Sequence, residues 1–153
     1  MRNNRKLLIK QLDQKLKPFK GTDKVIVPEK GWINTIRTAL NITLSQLGKK
    51  LNITRQGARG VELSEAKGTI SIKALREVGK ALDLKFVYGF VPNDGTFENL
   101  INKKAKELAK KIVLRTHQNM ALEKQGIDND KINEAIKELA EDLKNEMKKS
   151  LWD

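Results

Sequence analysis

The twenty residues from Thr43 to Glu62, TLSQLGKKLNITRQGARGVE, constrain the fold more than any other stretch of the chain. Leu44, Leu47 and Leu51 recur at helical spacing, and Thr43-Leu44-Ser45-Gln46 has the pattern of a capping box that fixes where this helix starts. Gly48 leaves room for a second helix to approach closely. Asn52-Ile53 supplies a short turn with Ile53 buried, and Thr54 is the N-cap of a helix anchored by Ala58 and Val61. An apolar-faced first helix, a small residue at the crossing, a brief turn and a second helix free on one side are the requirements of a helix-turn-helix.

On the helix that starts at Arg55, a turn of about 100° per residue places Arg55, Gln56, Arg59 and Gly60 in one arc opposite Ala58 and Val61. Arg can bond guanine O6 and N7 together, and Gln can do the same to adenine N6 and N7, so this arc has the side chains of a major-groove reader. These four residues are the expected base-reading set. Thr43, Gln46, Thr54 and Lys67, with Lys6 and Lys10 from the N-terminal segment, are the expected contacts to the nucleic-acid backbone. Gly57 and Gly60 each cost about 1 kcal/mol of helix stability relative to Ala, which predicts either close backbone approach or a helix fully ordered only on DNA. Gly60, on the groove face, fits the first account.

The remaining sequence predicts a mainly α fold. Leu8, Leu12, Leu16 and Phe19 mark a basic amphipathic helix over residues 4–17, ended by Pro18 and Gly21. Its narrow apolar stripe lacks tryptophan, which favours docking on the protein or on DNA phosphate over a membrane. Helices follow over 32–40 (Ile33, Ile36, Leu40), 44–51, from Thr54 onward, and 72–82 (Ile72, Leu75, Val78, Leu82). Trp32 leads the first of these stripes and is expected in the core. Leu84, Phe86, Tyr88 and Phe90 then alternate with Lys85, Val87, Gly89 and Val91, the period of a strand. With no convincing second strand in the chain, residues 84–91 are expected to pair with their copy in a second subunit, Leu84, Phe86, Val87, Tyr88 and Phe90 forming the dimer contact. Two helices, 97–123 with a stop at Gly126 and 130–149, are expected to close into a C-terminal hairpin along Ile101, Ala105, Leu108, Ile112 and Ile132, Ile136, Leu139, Leu143, Met147. The expected division is 1–30, 31–83, 84–92 and 93–153.

Charge narrows the function classes. The chain holds 31 Lys and Arg against 19 Asp and Glu, a net +12, and the whole excess falls within residues 1–92; residues 93–153 carry twelve of each sign. That asymmetry predicts a polyanionic partner for the N-terminal part. There is no cysteine, so disulfides, thiol nucleophiles and cysteine zinc sites are excluded. The single His117 reads as a surface residue and cannot build a metal cluster or a triad with Ser45, Ser64 or Ser71. No P-loop, membrane span or signal core is legible, and the expectation is a cytoplasmic, non-enzymatic protein without cofactor.

The pattern over residues 31–83, with a recognition helix whose apolar Val61 is followed by Glu62, resembles the Xre/Cro-type helix-turn-helix family. Together with Gly31-Trp32-Ile33, the stretch 84–92 centred on Val87-Tyr88, and Met120-Ala121-Leu122-Glu123, it is similar to the family called mobile mystery protein A. One departure is Gly57 and Gly60, where relatives of the wider class carry larger residues. The resemblance implies a bacterial regulator, often encoded beside a Fic-domain protein in an arrangement like a toxin-antitoxin pair. The expected function is therefore a sequence-specific, homodimeric binder of double-stranded DNA that represses its own operon. The alternative is an antitoxin-like module that partners a Fic-domain protein, with DNA binding secondary.

Overall fold

The computed structural model describes residues 2–121 and 129–153, and it is mainly helical. Among the described residues the α-helices are α1 (Arg2–Leu16), α2 (Trp32–Ala39), α3 (Leu44–Lys50), α4 (Arg55–Lys67), α5 (Ile72–Ala81), α6 (Phe97–Ala121) and α7 (Asn129–Glu146). They group into two compact units: Asp23–Gly89, and Met1–Thr22 together with Phe90–Asp153. Residues 122–128 and the expected stop at Gly126 lie outside the described residues, as does the side chain of His117.

In the unit Asp23–Gly89, α2 to α5 surround Ile33, Leu47, Ala58, Val78 and Leu82, closed in by Ile36, Leu44, Val61 and Leu75 among others. Local chemistry sets the helix ends. Hydroxyls of Thr43, Thr54 and Ser71 accept the amides of Gln46 (3.1 Å), Gly57 (2.9 Å) and Ala74 (3.0 Å), each N-cap contributing about 1 kcal/mol. The stops share one design. Asn41, Asn52 and Asp83 take φ near +58°, and the next residue's amide returns to a carbonyl five back: Ile42 to Arg37 (3.0 Å), Ile53 to Gly48 (2.8 Å), Leu84 to Gly79 (2.7 Å). These are Schellman closures in which short polar side chains tolerate the left-handed conformation. Helix α4 ends the same way at Gly68, with the Thr69 amide on the Ser64 carbonyl (2.9 Å).

Residues 84–91 form no strand within the single chain. A ladder needs a second edge, and within this chain residues 85–91 make no backbone-to-backbone hydrogen bond. Phe86 is half-buried, its ring stacked on Tyr88 at 5.9 Å, and Arg76 of α5 lies 5.6 Å from the Tyr88 ring. Val87, Tyr88 and Phe90 are exposed, Phe90 by 81%. Trp32 is also exposed, so it heads α2 without entering the core.

In the other unit α6 and α7 pack antiparallel, with Glu98 near the start of α6 beside Lys144 near the end of α7 (3.9 Å). Their seam is Ala105, Ala109, Ile136 and Leu143, capped by Leu151 from a 3-10 turn, Lys149–Trp152. The seam follows Ala109 in place of the expected Ile112, which is exposed. Helix α1 belongs to this unit. Its Asp13 accepts the first amides of α6, Phe97 N–H at 2.7 Å and Glu98 N–H at 3.3 Å. The expected stripe on α1 is therefore rotated: Ile9 and Leu16 face inward, whereas Leu7, Leu8 and Leu12 are exposed.

This grouping changes the charge division. Residues 23–89 hold twelve Lys and Arg against six acids, and the other unit nineteen against thirteen, so each carries +6. The neutral C-terminal segment is thus part of a basic unit.

Candidate nucleic-acid interface

Helix α4 is held from one side and open on the other. Gly48 of α3 is the point of closest approach: a β-carbon there would lie 2.8 Å from the Ile53 carbonyl oxygen and 2.9 Å from that of Thr54. Only glycine admits the turn at this distance, as the sequence predicted. Ala58 and Leu47 are fully buried at the crossing.

Two carboxylates on the inner side of α4 clamp α2. Glu62, which is buried, accepts hydrogen bonds from Arg37 Nε and Nη2 and from Asn34 Nδ2 (2.9 Å), while Arg37 Nη1 donates to the Ile42 carbonyl (2.8 Å). Glu62 is buried and Arg37 partly so, with nearly every polar atom satisfied, the condition under which a largely desolvated ion pair persists. Glu65 accepts the Trp32 and Ile33 amides at 3.0 and 2.8 Å, replacing the side-chain cap that Gly31 cannot provide. Gly31 sits at φ +86°, and a β-carbon on it would strike Glu65 Oε1 at 2.7 Å. Sequence reasoning singled out Glu62 only through family resemblance and missed Glu65, Arg37 and Asn34. The available signal was two acids three residues apart on the same side of α4 as Ala58 and Val61.

The opposite side carries the expected reading set. Arg55, Gln56, Arg59 and Gly60 are all exposed on α4 and lie together. None of the three side chains forms a hydrogen bond or ion pair with the described residues, so two guanidinium groups and one amide keep their full donor capacity. The two glycines differ. At Gly57 a β-carbon would press on Ile53 Cβ and Thr54 Oγ1, both at 3.3 Å, so this glycine serves the turn. At Gly60 nothing stands within 4 Å. The protein gives no internal reason for that residue.

The expected backbone-contacting residues fall into two places. Thr43, Gln46 and Thr54 stand exposed at the starts of α3 and α4, where the Thr43 amide donates to Gln46 Oε1 (2.9 Å) and completes the capping box. Their hydroxyl and carbonyl oxygens cap helices, leaving the Gln46 amide group as a donor. Lys67 is exposed at the far end of α4. Lys6 and Lys10 belong to the other unit, beside Ile9, Ile101 and Met147, and Lys6 Nζ donates to Asn145 Oδ1 at 3.0 Å. The structure does not assemble these two lysines with α4 in one unit.

Among the described residues no group of three His, Asp or Glu could hold a metal ion, and no helix is long and apolar enough to cross a membrane. No family model, curated protein or solved structure matches this chain.

Proposed function

We propose that this chain binds double-stranded DNA as an Xre/Cro-type helix-turn-helix protein, with α4 entering the major groove. The observation that carries the reading is the two-sidedness of α4: Glu62 and Glu65 fix its inner side, while Arg55, Gln56 and Arg59 stand exposed and unpaired on the other. Helix position is thereby fixed before a base is met, and the Arg and Gln side chains it carries can discriminate by paired hydrogen bonds worth about 1–3 kcal/mol each. Residues 85–91 support action as a homodimer, because their unpaired backbone and exposed Val87, Tyr88 and Phe90 are an open edge complementary to a copy of itself. Repression of its own operon in the bacterial cytoplasm follows from the resemblance to mobile mystery protein A.

A second reading, an antitoxin-like module partnering a Fic-domain protein, draws support from the exposed Leu7, Leu8 and Leu12 on α1, a row suited to a protein partner. Selection of random duplexes by the purified chain tests the first reading. The expected result is a near-palindrome with half-sites about one turn, roughly 34 Å, apart. Arg59→Ala should cost roughly 1–3 kcal/mol on that site and relax preference at one position. Equal loss on selected and random DNA would refute base reading by Arg59.

A further inference from the structure

The α6–α7 pair carries a second charged feature that the reading helix does not use. Along one side of the seam runs a groove of about 560 Å³ lined by Asn102, Lys106 and Lys110 of α6 and by Asn133, Lys137 and Lys144 of α7. Its floor is Ala105, Ile136 and Ala140, and Glu141 is the one acid in its wall. Ala105 and Ala109 are buried almost completely, so the helices approach closely and the groove is shallow. Paired helices ordinarily set opposite charges across a seam. Here lysines line both walls, and Lys106, Lys110 and Lys137 have no ion-pair partner among the described residues. The three exposed ammonium groups give the groove a positive face complementary to an anionic chain.

We infer that this groove binds the phosphodiester backbone of double-stranded DNA without regard to sequence. Lys106 and Lys110 are one turn apart, a rise of about 6 Å, comparable with the step between successive phosphates of a strand. Asn102 and Asn133 add neutral donors at the groove's two ends. The buried alanine and isoleucine floor offers no large apolar anchor, which is what a peptide partner or a membrane surface would need. The choice of ligand rests on the DNA-binding reading, but the groove itself belongs to the unit without α4. It adds lysines of α6 and α7 to the backbone contacts expected of Lys6 and Lys10 in the same unit.

The test compares full-length wild type, the triple variant K106Q/K110Q/K137Q, its charge-retaining counterpart K106R/K110R/K137R, and Arg59→Ala. Affinity for selected and random duplexes is measured from low to high salt. Each phosphate contact contributes about 0.9 to the slope of log K against log salt. The glutamine triple should flatten the slope by about 2 to 3 per copy and weaken both duplexes equally, by about tenfold or more at moderate salt. The arginine triple should restore the slope, and Arg59→Ala should leave it nearly unchanged. Circular dichroism of each variant separates lost contact from lost helix. An unchanged slope in the folded glutamine triple, or a loss confined to the selected duplex, overturns the groove while leaving α4 as the reader. Failure of wild type to bind any duplex overturns both.

Discussion

The carbonyl oxygen of Ile53 stands 2.8 Å from where Gly48 would carry a β-carbon. This one approach couples the end of α3 to the start of α4, because the Ile53 amide simultaneously donates to the Gly48 carbonyl at 2.8 Å. A methyl group there meets backbone on both sides and cannot be relieved by a rotamer change. Gly48→Ala should destabilise the protein by about 1–3 kcal/mol, read from urea unfolding. Gly60→Ala, in open space, should stabilise it by about 0.5–1 kcal/mol while weakening DNA binding if the duplex backs onto that residue. A Gly48→Ala protein as stable as wild type would refute the close approach.

Glu62→Ala leaves the Arg37 guanidinium in a partly buried place without its carboxylate. The expected loss is about 3–5 kcal/mol. Replacing both partners with apolar residues, Arg37→Met with Glu62→Leu, should recover much of it, since no uncompensated charge then remains. Thermal and urea unfolding of the single and double variants check this, and a double variant no better than Glu62→Ala would contradict the account.

Asp13 caps a helix that begins 84 residues later. Its negative charge at the α6 N-terminus and its two amide contacts predict that Asp13→Ala costs about 1–2 kcal/mol and that Asp13→Asn costs less. Amide hydrogen exchange should accelerate first at Phe97 and Glu98. Thr96 continues to bond the Asn99 amide (3.1 Å), so exchange at Asn99 should change least.

Val87→Pro removes a backbone donor from residues 85–91. If two copies pair through this segment, the variant should sediment as a monomer at concentrations where wild type is a dimer, and operator affinity should fall with it. Within one chain the Val87 amide is unbonded, so monomer stability should change little. A dimer that survives the proline places the interface elsewhere.

The short helices were legible because their punctuation is local. Thr43, Thr54 and Ser71 start helices, Asn41, Asn52 and Asp83 stop them, and the apolar spacing between them leaves one solution. The exposed arc of α4 followed from helical geometry alone. What escaped was anything depending on distant segments. Periodicity on α1 pointed to Leu8 and Leu12, yet the Asp13 bond to α6 turns that helix and leaves both leucines exposed. The alternation through Phe86, Tyr88 and Phe90 is genuine, but a strand is a relationship between two edges, and this chain supplies one. The clamp of Glu62 and Glu65 on α2 was missed because acids on a helix read as solvated until their partners are known, even where their spacing places them on the inner side.

The return of α1 to α6 has a consequence for how the molecule is made. During synthesis, residues 23–89 leave the ribosome as a continuous stretch and can complete their core while the rest is still being added. Helix α1 cannot. It precedes that stretch, and its partners on α6 and α7 emerge roughly 6 to 26 s after it at ordinary elongation rates. Throughout that interval Ile9 and Leu16 are as uncovered as Leu7, Leu8 and Leu12, and the nascent helix presents a broad apolar face. A segment translated before its partners is among the last to be sheltered, which makes α1 the place where a chaperone, or a neighbouring nascent copy, would first take hold.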